Sequence, residues 1–160
     1  MIEAFSVDTW IYQTLSGDAE LQQLSATAWA ALQTPAVTPA PSMRTDNWIW
    51  KDLASQGTMA PWLTFAQHSS RDIMGAFGQR IAAEPLYLVR LTAPGAGYAV
   101  LQAVANRVDD LLTQPGINAT VGTTVVQGVV REQTWELSEV LDNVQFKHVG
   151  GLYRFFVSGG

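Results

Sequence analysis

The sequence predicts an α+β fold in which an antiparallel β-sheet of about four to six strands packs against an N-terminal helix and one long central helix. Three observations support this prediction. Apolar residues near the N-terminus recur at helical spacing, residues 98–112 carry a continuous apolar stripe, and the rest of the chain alternates short apolar runs with turn residues. We expect these elements to form a single domain over residues 1–160.

The N-terminal segment predicts two short helices. Residues 2–15 have helically spaced apolar side chains, Gly17 ends this helix, and Asp18 is a suitable N-cap for the next one. Leucines and alanines continue at intervals of three and four residues as far as Leu32. The three prolines in residues 35–41 exclude regular helix and central strand, so this stretch is predicted to be a loop.

Two strands and a helix are predicted in the middle of the chain. Residues 61–67 and 86–91 are rich in strand-forming side chains, and residues 69–72 have the composition of a turn. We expect the two strands to be antiparallel neighbours. Residues 98–112 form the clearest helix, because their apolar side chains fall on one face. These side chains belong to Tyr98, Leu101, Val104, Val108, Leu111 and Leu112.

Four further strands are predicted after this helix, over residues 123–130, 134–140, 144–149 and 152–157. The Gly150-Gly151 pair is predicted to form a hairpin turn between the last two of them. This meander completes the antiparallel sheet.

The composition is unusually poor in charge. Charged residues make up 14% of the chain, whereas an ordinary soluble domain has about 25%. A membrane span is not the reason, because no apolar run approaches the roughly 20 residues that a bilayer requires. The low charge and the six tryptophans instead favour surfaces hidden between subunits. The net charge of -5 argues against tight nucleic-acid binding, which depends on clustered Lys and Arg.

The sequence offers no arrangement of side chains that predicts catalysis or metal binding. It has no cysteine, and its two histidines, His68 and His148, have no carboxylate at metal-ligand spacing. Both histidines are interpreted as surface or turn residues. We therefore predict a protein that is not an enzyme and has no cofactor or metal. The alternative from another class is a small ligand-binding or catalytic α+β domain with His68 or His148 as its acid–base group.

Four residues are candidates for contact with a partner. Trp48 and Trp50 lie in a polar stretch flanked by prolines, which forms either a capped helical turn or a short strand. These tryptophans either anchor a partner or hold the loop on the domain. Arg71 and Arg80 flank a segment with two glycines, which forms either a projecting hairpin or an ordinary surface loop.

Five features follow one another along most of the chain. They are an N-terminal helix ending in residues 11–21, a proline-bearing strand start at residues 61–65, a strand at residues 87–91, the helix with Val104, Val108, Leu111 and Leu112, and the closing residues 146–157. This order of elements resembles the tail terminator, or tail-completion, proteins of long-tailed bacteriophages. Members of that family are small structural proteins that close the growing end of the tail tube.

The resemblance implies a homo-oligomeric ring, a hexamer, that stacks on the last ring of the tail tube protein. The other face of the ring would meet the head-completion, or neck, protein, and strand edges left open in one copy would be covered between subunits. The protein would be assembled in the host cytoplasm and lie at the head-proximal end of the virion tail, with no membrane and no active site.

The same resemblance gives DNA a passive role. Six copies of a chain with net charge -5 would carry about -30, so DNA would pass through the lumen without specific binding.

Residues 35–60 would be a Pro- and Trp-rich loop insertion, and the segment between Arg71 and Arg80 a candidate contact with the tube. The alternative within the structural class is a head-completion or stopper protein, which binds the portal side and leaves tubes uncapped.

Overall fold

The computed structural model describes residues 2–33, 47–55, 58–95 and 98–159. These residues form three helices and a six-stranded sheet, an α+β architecture whose strand number agrees with the prediction. The helices are α1 (Ile2–Ser16), α2 (Ala19–Ala31) and α3 (Tyr98–Leu112). The strands are β1 (Ile49–Lys51), β2 (Trp62–Met74), β3 (Arg80–Pro94), β4 (Ala119–Val121), β5 (Thr124–Leu141) and β6 (Val144–Gly159).

The sheet is mixed, whereas the sequence predicts an antiparallel one. Its strand order is β1-β2-β3-β6-β5-β4. Strand β1 pairs parallel with β2, with Ile49 opposite Leu63, and every other pair of neighbours is antiparallel. A parallel pair requires the chain between its two strands to return to the starting end of the sheet. The stretch around Trp48 and Trp50 is therefore a short strand and not a helical turn.

The predicted cap of the second helix is confirmed. Asp18 has extended backbone angles, φ -88° and ψ 114°, and its Oδ1 accepts a hydrogen bond from the Leu21 N–H at 2.7 Å. The Gln22 side chain donates to the carbonyl oxygens of Leu15 and Ser16, at 3.4 and 3.3 Å. These bonds satisfy backbone groups that the ends of both helices would otherwise leave unpaired.

Helices α1 and α3 pack on one face of the sheet and form the core with it. The ring of Phe155 meets the rings of Tyr87 and Trp10 edge to face, with centroids 5.3 and 5.7 Å apart. Trp10 therefore lies in the core. The buried Tyr87 hydroxyl donates to Asp8 Oδ1 at 2.8 Å, and Lys51 Nζ lies 2.6 Å from Asp8 Oδ2. This polar group ties α1 to the sheet.

Helix α3 has the bounds that the sequence predicts. Its buried residues all belong to the predicted apolar stripe; they are Leu101, Val104, Val108, Leu111 and Leu112. With 15 residues it is as long as α1, so it does not stand out as the one long helix of the predicted architecture.

Two predicted turns are wrong, because both lie inside long strands. Residues 69–72 continue β2, which runs to Met74 in register with β3. Gly150 and Gly151 lie within the uninterrupted strand β6. A Cβ atom at Gly150 would lie 2.0 Å from the Val89 carbonyl oxygen, so glycine is required there for the close approach of β3 and β6.

The hairpin turn instead joins β5 to β6 at Asp142 and Asn143. Both residues have positive φ, 49° and 62°, as a two-residue turn that follows the right-handed twist of its strands requires. The strands predicted separately over residues 123–130 and 134–140 are accordingly one strand, β5.

The loop predicted at residues 35–41 lies outside the described residues. The single domain over residues 1–160 and the insertion at residues 35–60 stay predictions. None of the helices in the described ranges is both long enough and apolar enough to cross a membrane.

Candidate functional site

Phe77 has the most exposed large apolar side chain of the described residues. It lies at the tip of the hairpin formed by β2 and β3. The Gly75 N–H donates to the Gln79 carbonyl oxygen at 2.7 Å, and the Gly78 N–H donates to the Gly75 carbonyl oxygen at 3.0 Å. Gly78 has a φ of 75°, which glycine adopts without strain. The loop is therefore tightly closed, and the Phe77 side chain is left 94% exposed.

Two further apolar side chains extend this exposed surface. Met74 and Ile81 are 55% and 51% exposed, and they flank the turn on the two strands of the hairpin. We call Met74, Phe77 and Ile81 the apolar tip. Sequence reasoning missed Phe77, although an aromatic residue set between two turn glycines is a signal that could have identified it.

The candidates Arg71 and Arg80 lie on the same hairpin. The Arg71 guanidinium forms an ion pair with the carboxylate of Glu84, a buried residue. Arg80 Nε lies 3.5 Å from Asp72 Oδ1. The segment between Arg71 and Arg80 thus forms a hairpin, which is one of the two forms that the sequence predicts for it. Contact of either arginine with a partner stays a prediction.

The candidates Trp48 and Trp50 differ in burial, with Trp48 directly before β1 and Trp50 within it. Trp48 is 3% exposed, and its indole N–H donates to Gln22 Oε1 at 2.8 Å, which holds α2 against the sheet. Trp50 is half-buried, and its indole N–H has no hydrogen-bond partner in the described part of the chain. In this conformation Trp48 packs inside the domain. Partner contact by either tryptophan stays a prediction.

A second exposed apolar surface surrounds the turn between β5 and β6. Val140, Leu141 and Val144 are 69%, 61% and 42% exposed. Strands β2 and β5 run in opposite directions within the sheet, so the turns that follow them lie at opposite ends of the molecule. We call Val140, Leu141 and Val144 the distal apolar surface. The described residues therefore present exposed apolar side chains at both ends of one sheet.

A groove of about 370 Å³ lies on the sheet face turned away from α1 and α3, and His148 lines it. The prediction that His148 is a surface or turn residue is wrong, because it is 3% exposed within β6. Its Nδ1 lies 2.9 Å from Thr92 Oγ1, and its Nε2 lies 2.8 Å from Glu139 Oε1. The Trp135 ring packs against the imidazole, with centroids 5.9 Å apart. His68 is exposed, as predicted.

The Thr92 hydroxyl, the His148 imidazole and the Glu139 carboxylate follow one another as a nucleophile, its base and the acid that orients the base do in an enzyme. Thr92, however, is 4% exposed and lies inside β3, where it pairs with β2 on one side and β6 on the other. The backbone around it therefore belongs to a sheet that is paired on both sides. Thr92 and Glu139 give both ring nitrogens of the buried His148 a hydrogen-bond partner. Among the described residues, no cluster of three or more His, Asp or Glu side chains is arranged to hold a metal ion.

Comparison with known proteins shows a shared fold. No protein-family model matches the chain, and no curated protein matches its sequence. The chain is similar to a solved chain described as the virion of a native gene transfer agent particle, with a TM-score of 0.64 and 18% sequence identity. The match covers 93% of this chain and 92% of that one. A second solved chain, 20% identical over 89% of this chain and 94% of that one, has a TM-score of 0.45, too low to support an argument.

Proposed function

We propose that this chain is a structural virion protein of the tail terminator type. It caps the end of a phage tail tube as a ring of copies and forms the joining surface to the neck protein. The observation that carries the proposal is the pair of exposed apolar surfaces at opposite ends of one sheet. Support also comes from a fold shared with a virion chain over nearly the whole length of both.

Two separate apolar surfaces suit a protein that joins two different partners. Contiguous exposed apolar side chains on a soluble domain usually mark a contact site. A protein enclosed in a permanent assembly can leave such side chains exposed in the isolated chain, because the partners cover them. The low fraction of charged residues, 14%, agrees with surfaces that become covered.

The apolar tip is the proposed contact with the tail tube. Burying a phenylalanine side chain contributes about 2 kcal/mol, which corresponds to roughly thirtyfold in affinity. Phe77, at 94% exposure, has nearly all of this area still available for a partner. The distal apolar surface then faces the neck protein.

Tail tubes from the same virus, assembled without their terminator, test the proposal. The purified chain should co-sediment with these tubes and appear as extra density at one end in electron micrographs. Phe77→Ser should lose tube binding by roughly thirtyfold, because the area buried at the tip is lost. The matched control is Val140→Ser, which removes an apolar side chain that is 69% exposed at the other end and should leave tube binding unchanged.

Circular dichroism should show that both variants keep the fold, since neither side chain is buried. Tube binding that is insensitive to Phe77→Ser and lost with Val140→Ser would reverse the assignment of the two ends. A chain that leaves tubes uncapped and binds the portal side of the head would instead be a head-completion or stopper protein.

A further inference from the structure

Two strand edges of the sheet are not covered by any described strand. Strand β4 pairs with β5 only over residues 124–126, so the outer edge of β5 is open over residues 127–141. Strand β1 pairs with β2 only over residues 63–65, so the outer edge of β2 is open from residue 66 to residue 74. The free N–H and C=O groups of an open edge are a template for another strand.

The two open edges lie at the same height in the sheet. Following the paired residues from strand to strand, Ala66 on β2 lies in the same row as Gln133 on β5. Ser69 likewise lies in the same row as Val130. We call residues 66–72 and 127–133 the matched edges. They are at opposite sides of the molecule but level with each other.

The matched edges carry little uncompensated charge. Each of their Arg, Asp and Glu side chains has an ion-pair partner within the same chain, so two matched edges can approach without bringing unpaired like charges together. The ion pairs are Arg71 with Glu84, Asp72 with Arg80, Arg131 with Asp109, and Glu132 with Arg154.

We propose that the matched edges pair with each other between copies of this chain, with β5 of one copy adding to β2 of the next as an antiparallel strand. Strands β2 and β5 run in opposite directions in the sheet. A rotation about an axis along the strands keeps every strand direction, so it makes these two edges antiparallel neighbours. The contact uses a different edge on each side and therefore continues around a ring instead of stopping at a dimer.

This contact rests on the proposed function, because it supplies the interface of the proposed ring. The local geometry of the edges agrees with a curved assembly. The β2 matched edge has a bulge at His68, and the β5 matched edge has bulges at Gln127 and Glu132. Bulges bend a strand and increase its twist, and a sheet that continues from copy to copy must curve in order to close.

Disulfide trapping tests the contact in a chain that has no cysteine of its own. The test variant carries Ser69→Cys with Val130→Cys, since residues directly opposite in an antiparallel pair have Cβ atoms about 4.5 Å apart. The matched control carries Ser69→Cys with Leu137→Cys, which moves the second thiol six rows, roughly 20 Å, along the same strand. All three positions are exposed, and thermal melting of the reduced variants verifies the fold. Each variant is oxidised at rising protein concentration, with and without tail tubes, and analysed on non-reducing gels.

The edge pairing predicts a ladder of cross-linked species, from dimer to closed ring, in the test variant and not in the control. A single Val130→Cys variant should give no ladder; efficient dimer formation by it would show two-fold pairing of β5 with itself and overturn the proposal. Oligomers or capped tubes without the ladder overturn the edge pairing and leave the proposed function intact. A ladder from a chain that does not cap tubes keeps the edge pairing and overturns the proposed function. A chain that stays monomeric under all conditions overturns the edge pairing.

Discussion

Replacing Asp18 by alanine should remove the N-cap of α2 and an ion pair to α3 in one step. Asp18 Oδ1 accepts the Leu21 N–H at 2.7 Å, and the same carboxylate accepts hydrogen bonds from Arg107 Nε and Nη2 at 3.1 and 2.6 Å. Loss of the cap costs about 1 kcal/mol. A partly exposed ion pair adds about 0.5 kcal/mol. Asp18→Ala should therefore lower the free energy of unfolding by about 1.5 kcal/mol and the melting temperature by about 4 °C.

The effect of Asp18→Ala should depend on pH. The hydrogen bond from Arg107 holds the pKa of Asp18 below its ordinary value of 3.8. A carboxyl whose pKa is lowered by folding stabilises the protein above its unfolded-state pKa, and this contribution is lost as the pH falls through the folded-state pKa. The difference between the wild-type chain and Asp18→Ala should be largest at neutral pH and shrink below about pH 4.

Urea denaturation at neutral pH and at about pH 3 measures both effects. Asp18→Asn is the matched control, because asparagine is an equally good N-cap but has no charge. Asp18→Asn should retain most of the stability at neutral pH. Because asparagine does not ionise, the free energy of unfolding of this variant should no longer vary with the charge of residue 18. Equal destabilisation by alanine and asparagine would refute the capping argument. A difference between wild type and Asp18→Ala that is the same at both pH values would refute the ion-pair argument.

Two further substitutions test the packing of the sheet, both by urea denaturation. Gly150→Ala should cost about 3 kcal/mol or prevent folding, because its Cβ would lie 2.0 Å from the Val89 carbonyl oxygen, whereas the control Gly128→Ala meets its nearest atom only at 4.0 Å. Similar stabilities of these two variants would contradict the close approach of β3 and β6. Tyr87→Phe should cost about 1 kcal/mol, because it removes the buried hydroxyl that donates to Asp8 at 2.8 Å, and an unchanged stability would mean that this bond contributes nothing.

The helices were predictable because their signals are local. Asp18 after Gly17 identifies the start of α2, since capping depends on residues within one turn. The apolar stripe of residues 98–112 identifies α3, since its period is that of the helix itself. Neither inference requires knowledge of what the helix packs against.

The extent of the strands was not predictable, because pairing between distant residues decides it. Residues 69–72 have turn composition, yet β3 pairs along them and keeps them extended. Gly150 and Gly151 have hairpin composition, yet β6 needs glycine there for a close approach that the sequence does not display. The turn at Asp142 and Asn143 had a usable signal, because these residue types tolerate positive φ.

The surface candidates show the same division between local and distant information. The glycines around Phe77 are a local turn signal, but from the sequence they left a projecting hairpin and a surface loop as alternatives. Burial of Trp48 depends on Gln22, which is 26 positions away in the sequence. Burial of His148 depends on Thr92 and Glu139, which reach it from two neighbouring strands. Sequence patterns around Trp48 and His148 contain none of these partners.

The proposed location of the chain, at the end of a phage tail, gives the most direct test of the central claim. Gold-labelled antibody against this chain, applied to purified particles and to detached tails, locates it by electron microscopy. If the chain caps the tail tube as proposed, the label should lie at one site, the head-proximal end of the tail, in both samples. Particles without label, or label along the tail shaft or on the head surface, would contradict the account.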